Sequence, residues 1–166
     1  MAGGLVICSD TDAAMNQQSN SEPDVAGWAV ECREYTRGAL TTIGEREDLM
    51  QTDPGTASRI VGDQLAEWAT YPELSEDEWA RAHSLLMLFA AEFLISAYGA
   101  RWDWLVDVSS PLGGRWVVTG FTHPLGQETA PVDVGWLAHE ARINGTFSLS
   151  HVINRAVDLS MIRVFR

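Results

Sequence analysis

Lysine is absent from the chain, and all eleven basic residues are arginine. A chain without lysine has no Walker A phosphate-binding loop, no amine for a Schiff base and no Ser–Lys catalytic pair. A basic set made only of arginine also favours a GC-rich, bacterial coding sequence. We therefore expect a bacterial protein that does not perform lysine-dependent chemistry.

The common signatures of hydrolases and zinc enzymes are also missing. His139-Glu140 begins like the zinc motif HExxH, but position 143 is isoleucine, so the metal-ligand spacing fails. His139 and His151 alone are too few for a zinc site, which needs at least three protein ligands. No serine lies in a GxSxG motif, and Ser148 is predicted to cap a helix instead. The sequence predicts no catalytic residue, no metal and no cofactor.

Cysteine and long apolar runs are scarce. Cys8 and Cys32 form neither a CxxC pair nor a disulfide framework, which is typical of a reduced, cytoplasmic protein. The first ten residues, MAGGLVICSD, lack the basic region of a secretory signal. No uninterrupted apolar run reaches the ~20 residues that span a bilayer. We expect a cytoplasmic protein with no membrane partner.

Positive charge is scarce and unevenly placed. The chain has 23 acidic residues against 11 arginines, a net charge of −12. Residues 1–80 hold sixteen acids and four arginines, whereas residues 81–166 hold seven of each. The whole net charge therefore lies in the N-terminal half. Such a field repels phosphate backbones and anionic lipids, so we expect no nucleic-acid partner.

The 166 residues suit one α+β domain over residues 25–166, preceded by a flexible polar leader over residues 1–24. Apolar periodicity and capping signals predict helices over about 24–38, 56–70, 75–98, 133–143 and 148–160. Gly38 is predicted to stop the first helix. The helix over 75–98 opens with a Ser75–Glu78 capping box and is apolar nearly all round, so we expect it at the centre of the core.

After Gly99 the apolar period changes from 3.6 to 2, which predicts a hairpin over about 101–121. The alternation places Trp102, Trp104 and Trp116 on one face, packed on the central helix. We predict a register that pairs Asp107 with Arg115 and sets Trp104 opposite Val118. A further extended segment is expected near 128–132, followed by the two short C-terminal helices.

Residues 80–155 are similar to small bacterial domains of unknown function. The resemblance lies in FAAEFLISAYGARWDWLVDV and PVDVGWLAHEARINGTFSLSHVI. Their shared pattern is an apolar helix bearing a glutamate, then Gly-x-x-Trp, a short sheet, and a Pro- and Asp-containing segment leading into a helix. The resemblance implies an α+β fold and carries no activity.

The charge asymmetry leads to our first hypothesis of function, a non-enzymatic interaction module that docks a basic partner protein. A toxin-neutralising (immunity) protein or an accessory subunit is the concrete version. The alternative explanation is a solvated helical surface that keeps the protein soluble. The residues expected to contact the partner, called here the acidic set, are Glu45, Glu47, Asp48, Asp63, Glu67, Glu73, Asp77 and Glu78.

The second hypothesis is a small-molecule-binding protein or a hydrolase with a site near Glu92, Trp102, Trp104 and His139. Glu92 interrupts the apolar run LLMLFAAEFLISAY, where a carboxylate is costly unless it is paired or neutral. It is a general acid, or the internal partner of an arginine such as Arg101 or Arg115, or a residue on the one polar edge of the helix. The tryptophans are either a ligand platform or, more economically, the packing of the hairpin.

Overall fold

The computed structural model of the chain describes residues 23–70, 73–121 and 129–161. Its elements in chain order are α1 (Val25–Thr42), α2 (Leu49–Thr52), α3 (Pro54–Trp68), α4 (Glu76–Tyr98), β1 (Arg101–Val106), β2 (Gly114–Thr119), α5 (Val134–Ile143) and α6 (Leu149–Ser160). The predicted α+β architecture is confirmed. Residues 1–22, which make up nearly all of the predicted leader, lie outside the described residues.

Helix α1 begins where its sequence predicts but ends four residues later. The Asp24 side chain accepts a hydrogen bond from the Gly27 amide and caps the first turn. The predicted stop at Gly38 is wrong, because Gly38 is helical and the chain turns at Gly44, whose φ is 84°. There the Glu45 amide bonds to the Leu40 carbonyl and the Gly44 amide to the Thr41 carbonyl, a Schellman motif.

Helix α4 is the central element. Ser75 and Glu78 form the predicted capping box, and Gly99 ends the helix in the left-handed conformation with φ of 68°. The helix contacts all other elements of the described fold. By length and composition alone α4 could also cross a membrane, a test that a buried core helix passes as well.

The remaining helices start at side-chain caps. Asp53 accepts a hydrogen bond from the Thr56 amide at the start of α3, Asp133 from the Trp136 amide at α5, and Ser148 from the His151 amide at α6. Ser148 is therefore a helix cap, as predicted. The four-residue helix α2, between α1 and α3, was not predicted.

Strands β1 and β2 form an antiparallel hairpin whose register differs from the predicted one by two residues. Trp104 lies opposite Trp116, and Leu105 lies opposite Arg115. The turn begins at Asp107, whose amide bonds to the Gly113 carbonyl. A shift of two residues leaves every side chain on its predicted face, whereas a shift of one would not. Asp107 and Arg115 still form an ion pair at 3.4 Å.

Helices pack on both faces of the hairpin, although Leu105 and Val106 stay exposed. Trp102 and Trp104 face α1 and α4, while β2 also contacts α5. Val132, in the predicted extended segment, forms an antiparallel β-bridge with Val118, in which each amide donates a hydrogen bond to the other residue's carbonyl. Coverage on both sides explains why a two-stranded hairpin, marginal by itself, is stable in this fold.

Candidate functional site

The acidic set is distributed over three neighbouring segments. Glu45, Glu47 and Asp48 lie in the connection from α1 to α2, Asp63 and Glu67 lie on α3, and the other three flank the start of α4. All are exposed except Glu45 and Asp48, which are half-buried. Helices α2, α3 and α4 contact one another, so the three segments belong to adjoining elements.

Half of the acidic set already has an internal role. Three members pair with arginines: Glu47 Oε1 with Arg37 Nη2 at 2.8 Å, Asp48 Oδ2 with Arg46 Nη2 at 2.8 Å, and Asp63 Oδ2 with Arg59 Nη1 at 3.2 Å. The hydrogen bonds from Arg46 hold the pKa of Asp48 below its ordinary value. Glu78 completes the capping box of α4, and its hydrogen bonds with Ser75 lower its pKa.

Glu45, Glu67, Glu73 and Asp77 form no ion pair within the described ranges of the chain and cap no helix there. Their charges are therefore not offset by a neighbouring arginine. Solvated surface charges contribute little to stability, so neutralising these carboxylates, three exposed and Glu45 half-buried, should leave the fold intact. They are the members of the acidic set best suited to attract a basic partner.

An apolar groove with a volume of about 470 Å³ lies between α1, α3 and α4. Its lining combines small or apolar side chains with a few charged ones: Glu34, Tyr35, Gly38, Ala39, Thr42 and Ile43 from α1 and its end, Val61, Gln64, Leu65 and Trp68 from α3, and Arg81 and Leu85 from α4. Tyr35 and Ile43 are 41% and 39% exposed. Most of the lining residues therefore belong to the half of the chain that carries the net charge, whereas Arg81 and Leu85 belong to the electroneutral half.

The three- and four-residue spacing of Trp28, Cys32 and Tyr35 predicts a single buried stripe on α1, and that pattern gives no sign of a groove. Cys32 is buried, but Tyr35 lies to one side of the core and lines the groove. Glu31, Glu34 and Tyr35 follow the three- and four-residue spacing of one helix face. That spacing, two acids beside an aromatic residue, was the available signal.

Glu92 is a structural carboxylate at the junction of three elements. It is 1% exposed, and its Oε1 accepts a 3.3 Å hydrogen bond from the Trp102 indole, while Oε2 lies 3.9 Å from Arg33 Nε. Burial raises the pKa of Glu92, and the Trp102 hydrogen bond and the Arg33 charge oppose that shift. The predicted internal arginine partner is present, but it is Arg33 of α1 rather than Arg101 or Arg115.

Cys32 lies close enough to Glu92 for the two groups to influence each other. Burial, and then the negative charge of Glu92, raise the pKa of the Cys32 thiol to about 12. A thiol of this kind is protonated at neutral pH and is a poor nucleophile, because the thiolate is the reactive form. Cys32 and Glu92 therefore do not form an activated cysteine site.

Trp28, Trp102, Trp104 and Trp116 form one aromatic cluster between α1 and the hairpin. Trp28 stacks on Trp116 with ring centroids 4.6 Å apart and meets Trp102 edge-on at 5.9 Å. Trp104 meets Trp116 edge-on at 4.9 Å. Trp102 is 3% exposed and the other three are half-buried. Each ring is covered by another ring, which is the geometry of core packing.

His139 lies apart from this cluster, on α5 beside Trp136, with ring centroids 5.6 Å apart. Its neighbour His83 donates from Nε2 to the Gly135 carbonyl at 3.2 Å. Burial lowers the pKa of His83, and nearby His139 and Arg142 lower it further. Within residues 23–70, 73–121 and 129–161, no three histidine, cysteine or acidic side chains converge as metal ligands do.

The described residues also line other cavities. A cleft of about 420 Å³ between α3 and α6 is lined by hydroxyl and amide side chains that include Ser58, Ser148 and Asn154. A hollow of about 250 Å³ lies between Leu105 and Trp136. Glu92, Trp102, Trp104 and His139 line neither of these cavities, nor the groove. Glu92, Trp102 and Trp104 belong to one packed cluster, whereas His139 lies on α5, away from that cluster.

Comparison of the chain with protein-family models, with curated proteins and with solved structures finds no match.

Proposed function

We propose that this protein is a non-enzymatic interaction module whose acidic N-terminal helices dock a basic partner protein. The observation that carries the proposal is the coincidence of charge and shape. The net charge of −12 belongs to residues 1–80, and most residues that line the apolar groove, including the exposed Tyr35 and Ile43, belong to that same half. Convergent charge speeds encounter and selects partners by complementarity, and exposed apolar groups then hold them.

The competing hypothesis is a ligand or catalytic site made from Glu92, Trp102, Trp104 and His139. It has less support because Glu92 and Trp102 satisfy each other by a hydrogen bond and Trp104 packs on Trp116. A catalytic site needs a concave space in which polar groups converge. An acidic docking module of this size fits two roles best. It could neutralise a toxin, or it could be the accessory subunit of a larger complex.

The test is capture of proteins from the native cell by three immobilised forms of the full chain. The first is wild type, and the second carries Glu45→Gln, Glu67→Gln, Glu73→Gln and Asp77→Asn. The control carries Glu140→Gln and Asp158→Asn, two carboxylates of the electroneutral half. We expect wild type and control to retain one basic protein that the fourfold variant loses. Retention of the same protein by all three forms, or capture of an acidic protein, would contradict the proposal.

A further inference from the structure

The cleft between α3 and α6 has a volume of about 420 Å³, and side chains that form hydrogen bonds line both of its walls. These polar residues are Ser58, Arg59 and Asp63 from α3, and Thr146, Ser148, Ser150 and Asn154 from α6 and the loop before it. Gly55 and Gly62 add no side chain to the α3 wall. A concave space of this volume with several polar groups has the dimensions of a small-molecule site.

The hydroxyl of Ser58, on the α3 wall, is buried and has no hydrogen-bond partner among the described residues. Other helical hydroxyl groups bond to a carbonyl of the preceding turn, as the Ser84 hydroxyl does with Ala80 at 3.0 Å and the Thr52 hydroxyl with Asp48 at 3.1 Å. A buried polar group without a partner costs free energy, and such groups are rare in native proteins. The Ser58 hydroxyl therefore has an unused capacity to donate and accept a hydrogen bond at the wall of the cleft.

The charges at the cleft cancel. Of the described residues that line it, only Arg59 and Asp63 are charged, and they pair with each other at 3.2 Å. An anion in the cleft would approach Asp63 and a cation would approach Arg59, so neither sign of charge is favoured. The other polar groups of the lining are hydroxyls and one carboxamide, which are neutral. The lining is therefore complementary to an uncharged ligand.

Part of the lining is apolar. Phe93 of α4 is half-buried at the cleft, and Leu149 and Ile153 of α6 also line it. A ligand in the cleft thus meets an aromatic ring and aliphatic side chains as well as hydroxyl groups. A sugar ring matches both surfaces, because its C–H groups form an apolar face and its hydroxyl groups project from its edge. Those hydroxyl groups both donate and accept hydrogen bonds, as serine and threonine side chains do.

We propose that the cleft between α3 and α6 binds an uncharged sugar. The Ser58 hydroxyl and the Asn154 carboxamide hydrogen-bond to hydroxyl groups of the sugar, and Phe93 packs against its C–H face. This site goes beyond the proposed function and does not rest on it, because none of the four unpaired carboxylates of the acidic set lines the cleft. A free sugar and a sugar unit of a glycan offer the same chemistry, and oligosaccharides of different length distinguish the two sources.

The test is a titration of the isotope-labelled full chain, followed by NMR, with glucose, galactose, mannose, N-acetylglucosamine and the corresponding disaccharides. Cyclohexanol, a ring with a single hydroxyl group, and inorganic phosphate are the comparison ligands. Ser58→Ala and Asn154→Ala each remove a polar contact, and Phe93→Leu removes the ring but keeps an apolar side chain. Ser84→Ala is the matched control, because Ser84 is also a half-buried helical serine and lines none of the three cavities described above.

We expect at least one of the sugars to bind wild type and Ser84→Ala equally and to shift the amide resonance of Gly62. Ser58→Ala and Asn154→Ala should each bind it about tenfold more weakly, because each loses a hydrogen bond to the ligand. Phe93→Leu should also weaken binding. The melting temperature of Ser58→Ala should not fall, since the variant deletes an unsatisfied hydroxyl and alanine favours a helix. Weaker binding without a loss of stability separates contact with the ligand from a role in folding.

Failure of every sugar to bind wild type overturns the inference. Binding that Ser58→Ala and Asn154→Ala both leave unchanged also overturns it, because the sugar would then lie elsewhere. Preferential binding of phosphate or cyclohexanol would identify an anion site or an apolar site instead and contradict the inference. A disaccharide that binds more tightly than its monosaccharide indicates a glycan as the source, equal binding indicates a free sugar, and both results support the inference. None of these outcomes affects the capture of a basic protein, so the proposed function is tested separately.

Discussion

The Trp102 indole donates a 3.3 Å hydrogen bond to the Glu92 carboxylate, which is 1% exposed. This bond joins β1 to the central helix α4, and Arg33 of α1 approaches the other carboxylate oxygen at 3.9 Å. A buried carboxylate left without partners would be strongly destabilising. The one charged side chain in the apolar run of α4 thus serves to bring three elements together.

The Glu92 carboxylate should make stability depend on pH. Its ordinary pKa is 4.5, and burial raises the folded-state value. The stabilisation contributed by the neutral carboxyl is therefore complete below about pH 4.5 and is lost as the pH rises through the folded pKa. Glu92→Gln keeps an acceptor for Trp102 but cannot ionise. Its free energy of unfolding, minus that of wild type, should increase from pH 4.5 towards neutrality in urea titrations, whereas a constant difference would contradict the assignment.

Truncation of Trp102 should be severe. Trp102→Ala removes a ring that is 3% exposed and leaves both a cavity and the Glu92 carboxylate without its donor. We expect a loss of about 3–5 kcal/mol in the free energy of unfolding. Trp136→Ala is the control, because that ring is 56% exposed, and it should change stability by less than about 1 kcal/mol. Similar losses for the two variants, measured by chemical denaturation, would refute a core role for Trp102.

Two glycine substitutions should change the free energy of unfolding in opposite directions. A Cβ on Gly114 would lie 2.5 Å from the Trp104 ring and 2.7 Å from the Leu105 carbonyl oxygen, so Gly114→Ala should destabilise the hairpin by about 1–3 kcal/mol. A Cβ on Gly38 meets nothing, so Gly38→Ala should stabilise the protein by about 0.5–1 kcal/mol. Calorimetry of both variants checks the pair. A stable Gly114→Ala variant would show that the observed register is wrong.

The Cys32 thiol should be unreactive towards alkylating reagents in the folded protein. It is 2% exposed, and its thiol pKa of about 12 keeps it protonated at neutral pH. In a Cys8→Ser background, alkylation by iodoacetamide at pH 8 should be orders of magnitude slower in buffer than in urea. A native labelling rate close to the rate in urea would mean that the junction of α1 and α4 opens readily.

Much of the fold followed from local signals in the sequence. The capping box at Ser75, the left-handed stop at Gly99 and the change of period after it predicted α4 and the hairpin, because each signal acts within a few residues. The end of α1 was predicted wrongly because it does not depend on a local signal alone. Gly38 resembles a stop in sequence, and the decision in favour of Gly44 depends on how the chain turns into α2.

The candidate site was less predictable because it depends on packing between distant segments. The charge asymmetry is a property of composition and is visible without a structure. By contrast, the pairing of Glu47 with Arg37 and the groove that Tyr35 shares with Trp68 of α3 depend on how distant segments are placed. The predicted hairpin register was wrong by two residues, because the geometry of the turn that begins at Asp107 determines which residues pair.

The central claim, that the acidic N-terminal helices recognise a basic partner, is tested most directly by association rates with the captured partner. The informative pair of variants removes the same charge from the two halves: Glu67→Gln with Asp77→Asn, and Glu140→Gln with Asp158→Asn. Stopped-flow rates at low and high salt separate steering from contact, because the Debye length falls from ~30 Å at 0.01 M to ~8 Å at 0.15 M. The account predicts that the first variant alone associates more slowly at low salt and shows a flatter salt dependence. Equal rates and equal salt slopes for both variants and wild type would contradict it.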